Sequence, residues 1–280
     1  MYTCVRAVLV IGGLSIFVLA YMFLNKIGWV NEFWAWDDKK LSFVFIASMQ
    51  AAIAAGMFWI GLSGKMAGLA AGGLNLTVMM GGLAISIFGG LARIEQYGSL
   101  ALALFCLLFA IINVLLFLWA RRLPIEDTRP MPPLARYSFM LFIVVLLSIG
   151  IVLLSVGIMY PQNAKISFFP WDLPFPTAIF FGWMFLGDAF YFGYALYRNY
   201  WTLACVPLLS FLAYDLVLIQ PFIQRLMQEE LPPLRQLSLI VYIGVLIYSG
   251  LLAIYYLFIN PQTRLWRPAP LLRKSLSEGL

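Results

Sequence analysis

Two aspartates fall within stretches otherwise too apolar for water: Asp188 in FLGDAFY and Asp215 in LAYDLVL. A charged side chain in hydrocarbon costs a few kcal/mol on insertion scales, so a carboxyl there marks a structural hydrogen bond or work on a proton, cation or solute. Three carboxamides share that setting, Gln50, Asn75 and Asn113, and the five residues form the candidate intramembrane polar site. At ~1.5 Å of rise per residue, Gln50 and Asn75 reach the level of Asp188, with Asn113 within about 5 Å of it. Asp215 falls roughly 12 Å away in height, too far for a hydrogen-bonded carboxyl pair. The two acids then read as successive stations for a cation or proton, or as two neutral acids each bonded to a nearby amide or backbone group. The plainer reading of the whole band is a set of separate helix–helix hydrogen bonds, each worth well under ~2 kcal/mol.

Other chemistry is excluded by what is missing. No histidine occurs in the 280 residues. That removes histidine general acid–base catalysis and histidine-ligated haem, zinc and chlorophyll, and leaves any cofactor unspecified. Cys4, Cys106 and Cys205 are too scattered for a metal cluster or a redox pair, so Cys106 and Cys205 read as small buried apolar residues. No lysine lies inside an apolar stretch, and no phosphate-binding glycine motif is present. The chain is expected to have no catalytic residues and no metal site.

The elements that must position the polar residues are set by composition. Apolar residues make up 63% and charged residues 11%, with a mean hydropathy of +0.93. A soluble globule of this size must clothe its surface in polar groups and has no use for that much apolar sequence. The expected fold class is all-α: a polytopic integral membrane protein whose partner is the lipid bilayer, not nucleic acid, despite a net charge of +6. Eight runs are long enough to cross, near 7–24, 41–62, 66–92, 100–120, 138–160, 175–197, 200–222 and 237–259. Placing the N-terminus in the cytoplasm puts 11 of the 18 Lys and Arg residues inside, including Arg6, Arg121, Arg122 and Arg264. Both termini are therefore expected to be cytoplasmic in the cell membrane.

The loops repeat a rhythm. A long first loop and a very short second one occur on both sides of a Pro-rich stretch, RRLPIEDTRPMPPLARY. Phe33, Trp36 and Asp37 recur without a gap as Phe168, Trp171 and Asp172, each set just before the second span of its half. The expected organisation is a 4+4 tandem repeat of eight transmembrane helices. Residues 1–122 form the first four-helix repeat, 123–137 a cytoplasmic linker, 138–262 the second repeat and 263–280 a basic cytoplasmic tail. Four being even, the two repeats have parallel topology. The aromatic motif of Phe33, Trp36, Phe168 and Trp171, with Trp29 and Trp34, reads as a belt at the headgroup level. Asp37, Asp38 and Asp172 read as helix caps. The stretch Phe168–Ala178, running into Gly182-Trp183, resembles uncharacterised bacterial multi-pass proteins in which Trp-Pro-Trp-x-Leu-x-Pro precedes an Ala/Gly-rich helix. Phe169 departs from that pattern, and the resemblance implies architecture alone.

The third span is dominated by small residues: Gly64, Gly68 and Gly72; Gly73, Thr77 and Gly81; Gly82, Ser86 and Gly90. Rows on several faces predict a helix packed closely on all sides. The seventh carries Pro207, which frees the carbonyl of Leu203 and predicts a bend. Two functions remain: a non-catalytic structural or accessory subunit bound to other membrane protein subunits, or a small-solute or ion transporter with a polar site between the repeats.

Overall fold

The computed structural model describes residues 2–28, 30, 40–90, 96–125, 127–159, 169–171 and 173–266, with backbone alone at 96–99. These residues form eight long helices, and each is apolar enough to cross a bilayer. They are α1 (Tyr2–Leu24), α2 (Lys40–Ser63), α3 (Leu69–Phe88, entered through a 3-10 turn at Met66–Gly68) and α4 (Gln96–Ala120). In the second half follow α5 (Pro133–Met159), α6 (Phe175–Arg198), α7 (Trp201–Gln228) and α8 (Pro233–Ile254, ending in a π turn at Tyr255–Ile259). Helices of this length satisfy their own backbone hydrogen bonds, as a chain in hydrocarbon must.

Four helices form the centre and four the perimeter. α2, α3, α6 and α7 are half or more buried along their apolar windows, whereas α1, α4, α5 and α8 are 22–28% buried and turn the rest outward. Each perimeter helix lies along one central helix: α1 on α2, α4 on α3, α5 on α6 and α8 on α7. The halves join through α2 against α7 and α3 against α6. Exchanging the halves leaves this list of partners unchanged.

Helix positions follow the spacing of the aromatic motif. Lys40 and Phe175 open α2 and α6, and Ser63 and Arg198 close them, each pair separated in the chain by the same interval as Trp36 and Trp171. The turns after them agree in backbone too. Gly64 has φ +75° and Asn199, its counterpart, has φ +52°. Gly and Asn are the two residues that accept the left-handed conformation at a helix end most readily, which is how two different residues close the same tight turn.

Small residues govern the central crossings. The Cβ of an alanine at Gly82 would stand 2.1 Å from the Trp183 ring, and at Gly73 3.0 Å from the Asn113 carbonyl. α3 therefore receives α6 on one face and α4 on another, but it is half buried and a Cβ at Gly72 would meet nothing within 4 Å, so the expected packing on all sides holds for two faces only. Trp183 Nε1 also donates to Ser86 Oγ at 2.8 Å. α7 runs through Pro207 and on through Pro221 as one helix.

The Pro-rich linker is shorter than expected, because α5 begins at Pro133, and it is tied down. Trp201 N donates to Arg129 O at 2.8 Å, and Met131 N to Asn199 O at 3.1 Å. Arg129 donates to Gln262 O and pairs with Asp127. That guanidinium holds the Asp127 carboxyl below the usual carboxylate range. Trp201 Nε1 donates to Thr263 O at 2.8 Å, so linker, α6–α7 turn and the start of the tail form one docked layer. Cys106 and Cys205 are buried, as expected, and Cys4 is exposed.

Candidate functional site

A cavity of about 330 Å³ lies inside the second half, between α5, α6, α7 and α8. Phe142 and Ile149 wall it from α5, Phe185 from α6, Phe211 from α7, and Val241 and Val245 from α8. Both intramembrane carboxylates, Asp188 and Asp215, face it.

Their common setting corrects the separation read from the sequence. Asp188 lies as far after Phe175, the start of α6, as Asp215 lies before Gln228, the end of α7, and those two ends belong to the same face of the bundle. α7 continues to Gln228, six residues past the expected end at 222. Gln220, Pro221, Gln224 and Arg225 break the apolar run without breaking the helix. Counted from the tight α6–α7 turn, Asp188 lies 10 residues before Arg198 and Asp215 14 after Trp201, a difference of about 6 Å, so by either end the separation is smaller than the roughly 12 Å expected.

Each carboxyl has one side-chain partner. Asn75 Nδ2, from α3 of the first half, donates to Asp188 Oδ1 at 2.8 Å. Gly187 makes the reach feasible: a Cβ there would lie 2.4 Å from Asn75 Oδ1 and 2.8 Å from the Asn75 carbonyl. On the other wall, Ser249 Oγ of α8 donates to Asp215 Oδ2 at 2.6 Å. Asp215 Oδ1 is buried with no hydrogen-bond partner. Neither acid has a basic partner: among the described residues the ion pairs are Arg129–Asp127 and Arg225–Glu229.

Tyrosines complete the polar lining. Tyr214 and Tyr242 share a hydrogen bond between their hydroxyls, and both line the cavity. Behind them, Tyr191 and Ser210 share one at 3.1 Å. Tyr191, Ser210, Tyr214, Tyr242 and Ser249 were not among the residues expected from the sequence. Tyr214 stands beside Asp215 in the chain, and that adjacency was the one available signal.

No family model matches the chain, and no curated protein or solved structure matches it either. The site is therefore read from its own geometry.

Of the five expected residues, three come together: Asn75, Asp188 and Asp215. Asn113 does not join them. It is buried at 4% exposure and donates to Phe109 O at 2.8 Å within α4, on the far side of α3. Gln50 is half-buried, and neither its Oε1 nor Asn75 Oδ1 has a partner, so the two carboxamides at that level do not bond each other. The polar site also lies within the second half and not midway between the halves; among the described residues, Asn75 is the one that reaches it from the first by a hydrogen bond.

Trp171 departs from the belt reading. It is 1% exposed and buried among Phe45, Phe169, Phe181 and Phe222, with ring centroids 4.6–6.4 Å away. Its Nε1 donates to Ser42 Oγ at 3.1 Å. An indole with that pairing seals the loop end of the bundle, and Phe169 and Pro170 form the same end of the cavity wall. Phe33, Trp36 and Phe168, with Trp29, Trp34, Asp37, Asp38 and Asp172, lie outside the described residues.

Proposed function

We propose that this protein is a non-catalytic, multi-pass membrane transporter of a small organic solute, with both termini in the cytoplasm. The carrying observation is that Asp188 and Asp215 face one cavity within the bundle. Two acids serving only as helix–helix hydrogen bonds have no need to line one common crevice between four helices. A cavity with a few convergent polar groups is the usual form of a small-molecule site. The accessory-subunit reading rests on missing catalytic residues, small outer loops, aromatic richness and few charges within the spans, none of which accounts for that cavity.

We also propose that the chain is a tandem duplication of a four-helix unit, residues 1–122 and 138–262. Support comes from the constant spacing of the helix ends, the matched left-handed residues at Gly64 and Asn199, and the exchange-invariant helix partners. Repeat transporters work by moving one bundle against another around a site held in the membrane. Among the described residues the Asn75–Asp188 bond is the one polar link from the first half to the site, and so couples the halves.

Reconstitution in proteoliposomes tests the function. Solute flux above that of empty vesicles is expected, and Asp188→Asn and Asp215→Asn are each expected to lower it at least tenfold while the protein stays monodisperse in detergent. Absence of flux across a panel of cationic, neutral and zwitterionic solutes overturns the proposal. Orientation is checked by impermeant thiol labelling in intact cells: cysteine at Asn163 should react and cysteine at Thr128 should not.

A further inference from the structure

The chemistry of the cavity narrows its occupant. Resting on the transport reading of the same site, we propose that the occupant is an organic cation, an ammonium group on a largely apolar body, admitted from the bilayer between α5 and α8. Three observations carry this.

The first is uncompensated acid. Asp188 and Asp215 line one volume, neither has a basic partner among the described residues, and Asp215 Oδ1 is buried with no hydrogen-bond partner. A cation seated in this almost wholly apolar volume lies beside both acids, whereas an anion would meet two acids in low dielectric.

The second is the wall. Phe142, Phe211 and Tyr214 run together, with centroids 6.2 and 5.6 Å apart, and all three line the cavity. Aromatic faces attract cations, most strongly where water is excluded, and are a recurrent means of holding quaternary ammonium groups. A small inorganic cation would need several oxygen ligands at short range, and the hydroxyls beside the acids are already engaged, Ser249 with Asp215 and Tyr214 with Tyr242.

The third is the portal. α5 and α8 are joined at one end, where Ser138 Oγ and Tyr248 OH bond at 2.6 Å and the Phe142 and Tyr248 rings lie 6.1 Å apart. Toward the other end they lie on different central helices, and the α8 wall residues Leu237 and Val241 are each 58% exposed on the perimeter. These side chains line the cavity and face the lipid at once. An amphipathic cation dissolved in the bilayer meets that side first.

Equilibrium dialysis of benzyltrimethylammonium against the full chain in detergent, corrected for empty micelles, tests the proposal. Neopentylbenzene, the same shape with carbon in place of the charged nitrogen, is the control. The cation is expected to bind at least tenfold more tightly than its neutral isostere, and Asp215→Asn is expected to remove that preference. Should Asp215→Asn fail to fold, Val245→Phe fills the cavity without altering either acid and is expected to abolish binding. Val241→Trp at the portal should slow association at least fivefold. No binding, equal binding of both probes, or binding indifferent to Asp215→Asn and to Val245→Phe overturns the ligand class. An unchanged association rate in Val241→Trp overturns the lateral route. Binding without flux in proteoliposomes would remove the transport reading and leave the ligand class; flux of neutral solutes without binding of the cation would do the reverse.

Discussion

The two halves of the molecule carry the same helices at the same spacing and put them to different use. In the first, α3 is built of small residues and is gripped on two faces, by Asn113 and Phe117 of α4 at Gly73 and by Trp183 of α6 at Gly82. In the second, α7 has no glycine, and the space between α5, α6, α7 and α8 holds two acids, two bonded tyrosines and a cavity. At the offset that carries Trp36 onto Trp171, Asp188 corresponds to Ile53 and Asp215 to Met80. Labour is divided between the halves: one is filled and serves as a wall, and the other is left open, with two acids set into an apolar lining. The crossings between them keep a common plan. Asn75 meets α6 at Gly187 and Ser210 meets α2 at Gly56, and Asn75 and Ser210 are counterparts at that same offset.

The heaviest loss should separate the halves by function. Asp188→Asn is expected to remove proteoliposome flux, whereas Ile53→Asn, the matching position, should leave at least half of it. Equal losses would mean that both halves carry the solute.

Next in size is the aromatic seal. Trp171→Ala should lower stability by about 3–5 kcal/mol, the usual cost of emptying a buried aromatic site, read by thermal unfolding in detergent. Trp36→Ala, measured beside it, tells whether the first half uses the same anchor: matched losses extend the likeness of the halves, and unmatched losses limit it.

A smaller effect is expected at the crossing. Gly187→Ala forces a Cβ against the Asn75 backbone and should cost about 1–3 kcal/mol, as overpacking does. Gly193→Ala, six residues on in the same helix and open on that side, should be neutral. Similar values for the two would show that α3 and α6 do not meet as described.

The slightest change lies in the linker that ties the halves. Asp127→Asn should cost at most about 1 kcal/mol, since the pair is partly solvated. Because Arg129 depresses the folded-state pKa of Asp127, the pair's contribution is present at neutral pH. It is lost as pH falls below the ordinary aspartate value of ~3.9 and through the depressed one. Protease nicking of residues 121–132 should rise over that range in the native protein and show no such step in Asp127→Asn.

Much of this was legible in the sequence. Hydropathy placed all eight spans, because hydrocarbon admits few alternatives to a long apolar helix. The small-residue rows of α3 foretold its close crossings at Gly73 and Gly82 but not its open face at Gly72, and the two acids lie on helices that wall the cavity. What stayed hidden was direction around each helix axis. Depth along a helix follows from residue counting, but Asn113 at nearly the right depth points to the wrong neighbour, and Gln50 does not bond Asn75. Ser249 and Tyr242 carried no signal, since hydroxyls are cheap in membrane helices and become informative only beside Asp215 and Tyr214. Trp171 misled because an indole suits both the headgroup layer and a buried seal with one hydroxyl partner.

If the working volume lies in the second half alone, matched positions in the two halves should differ in their access to a small reagent. Ser238 lines the cavity from α8, and its counterpart Ala103 on α4 is wholly buried. In a Cys4→Ser background, the modification rates of Ser238→Cys and Ala103→Cys by a membrane-permeant maleimide measure that difference. Ser238→Cys is expected to react at least tenfold faster than Ala103→Cys, and saturating benzyltrimethylammonium should protect it. Equal rates at the two positions, or a Ser238→Cys thiol that does not react, would contradict a working volume confined to the second half.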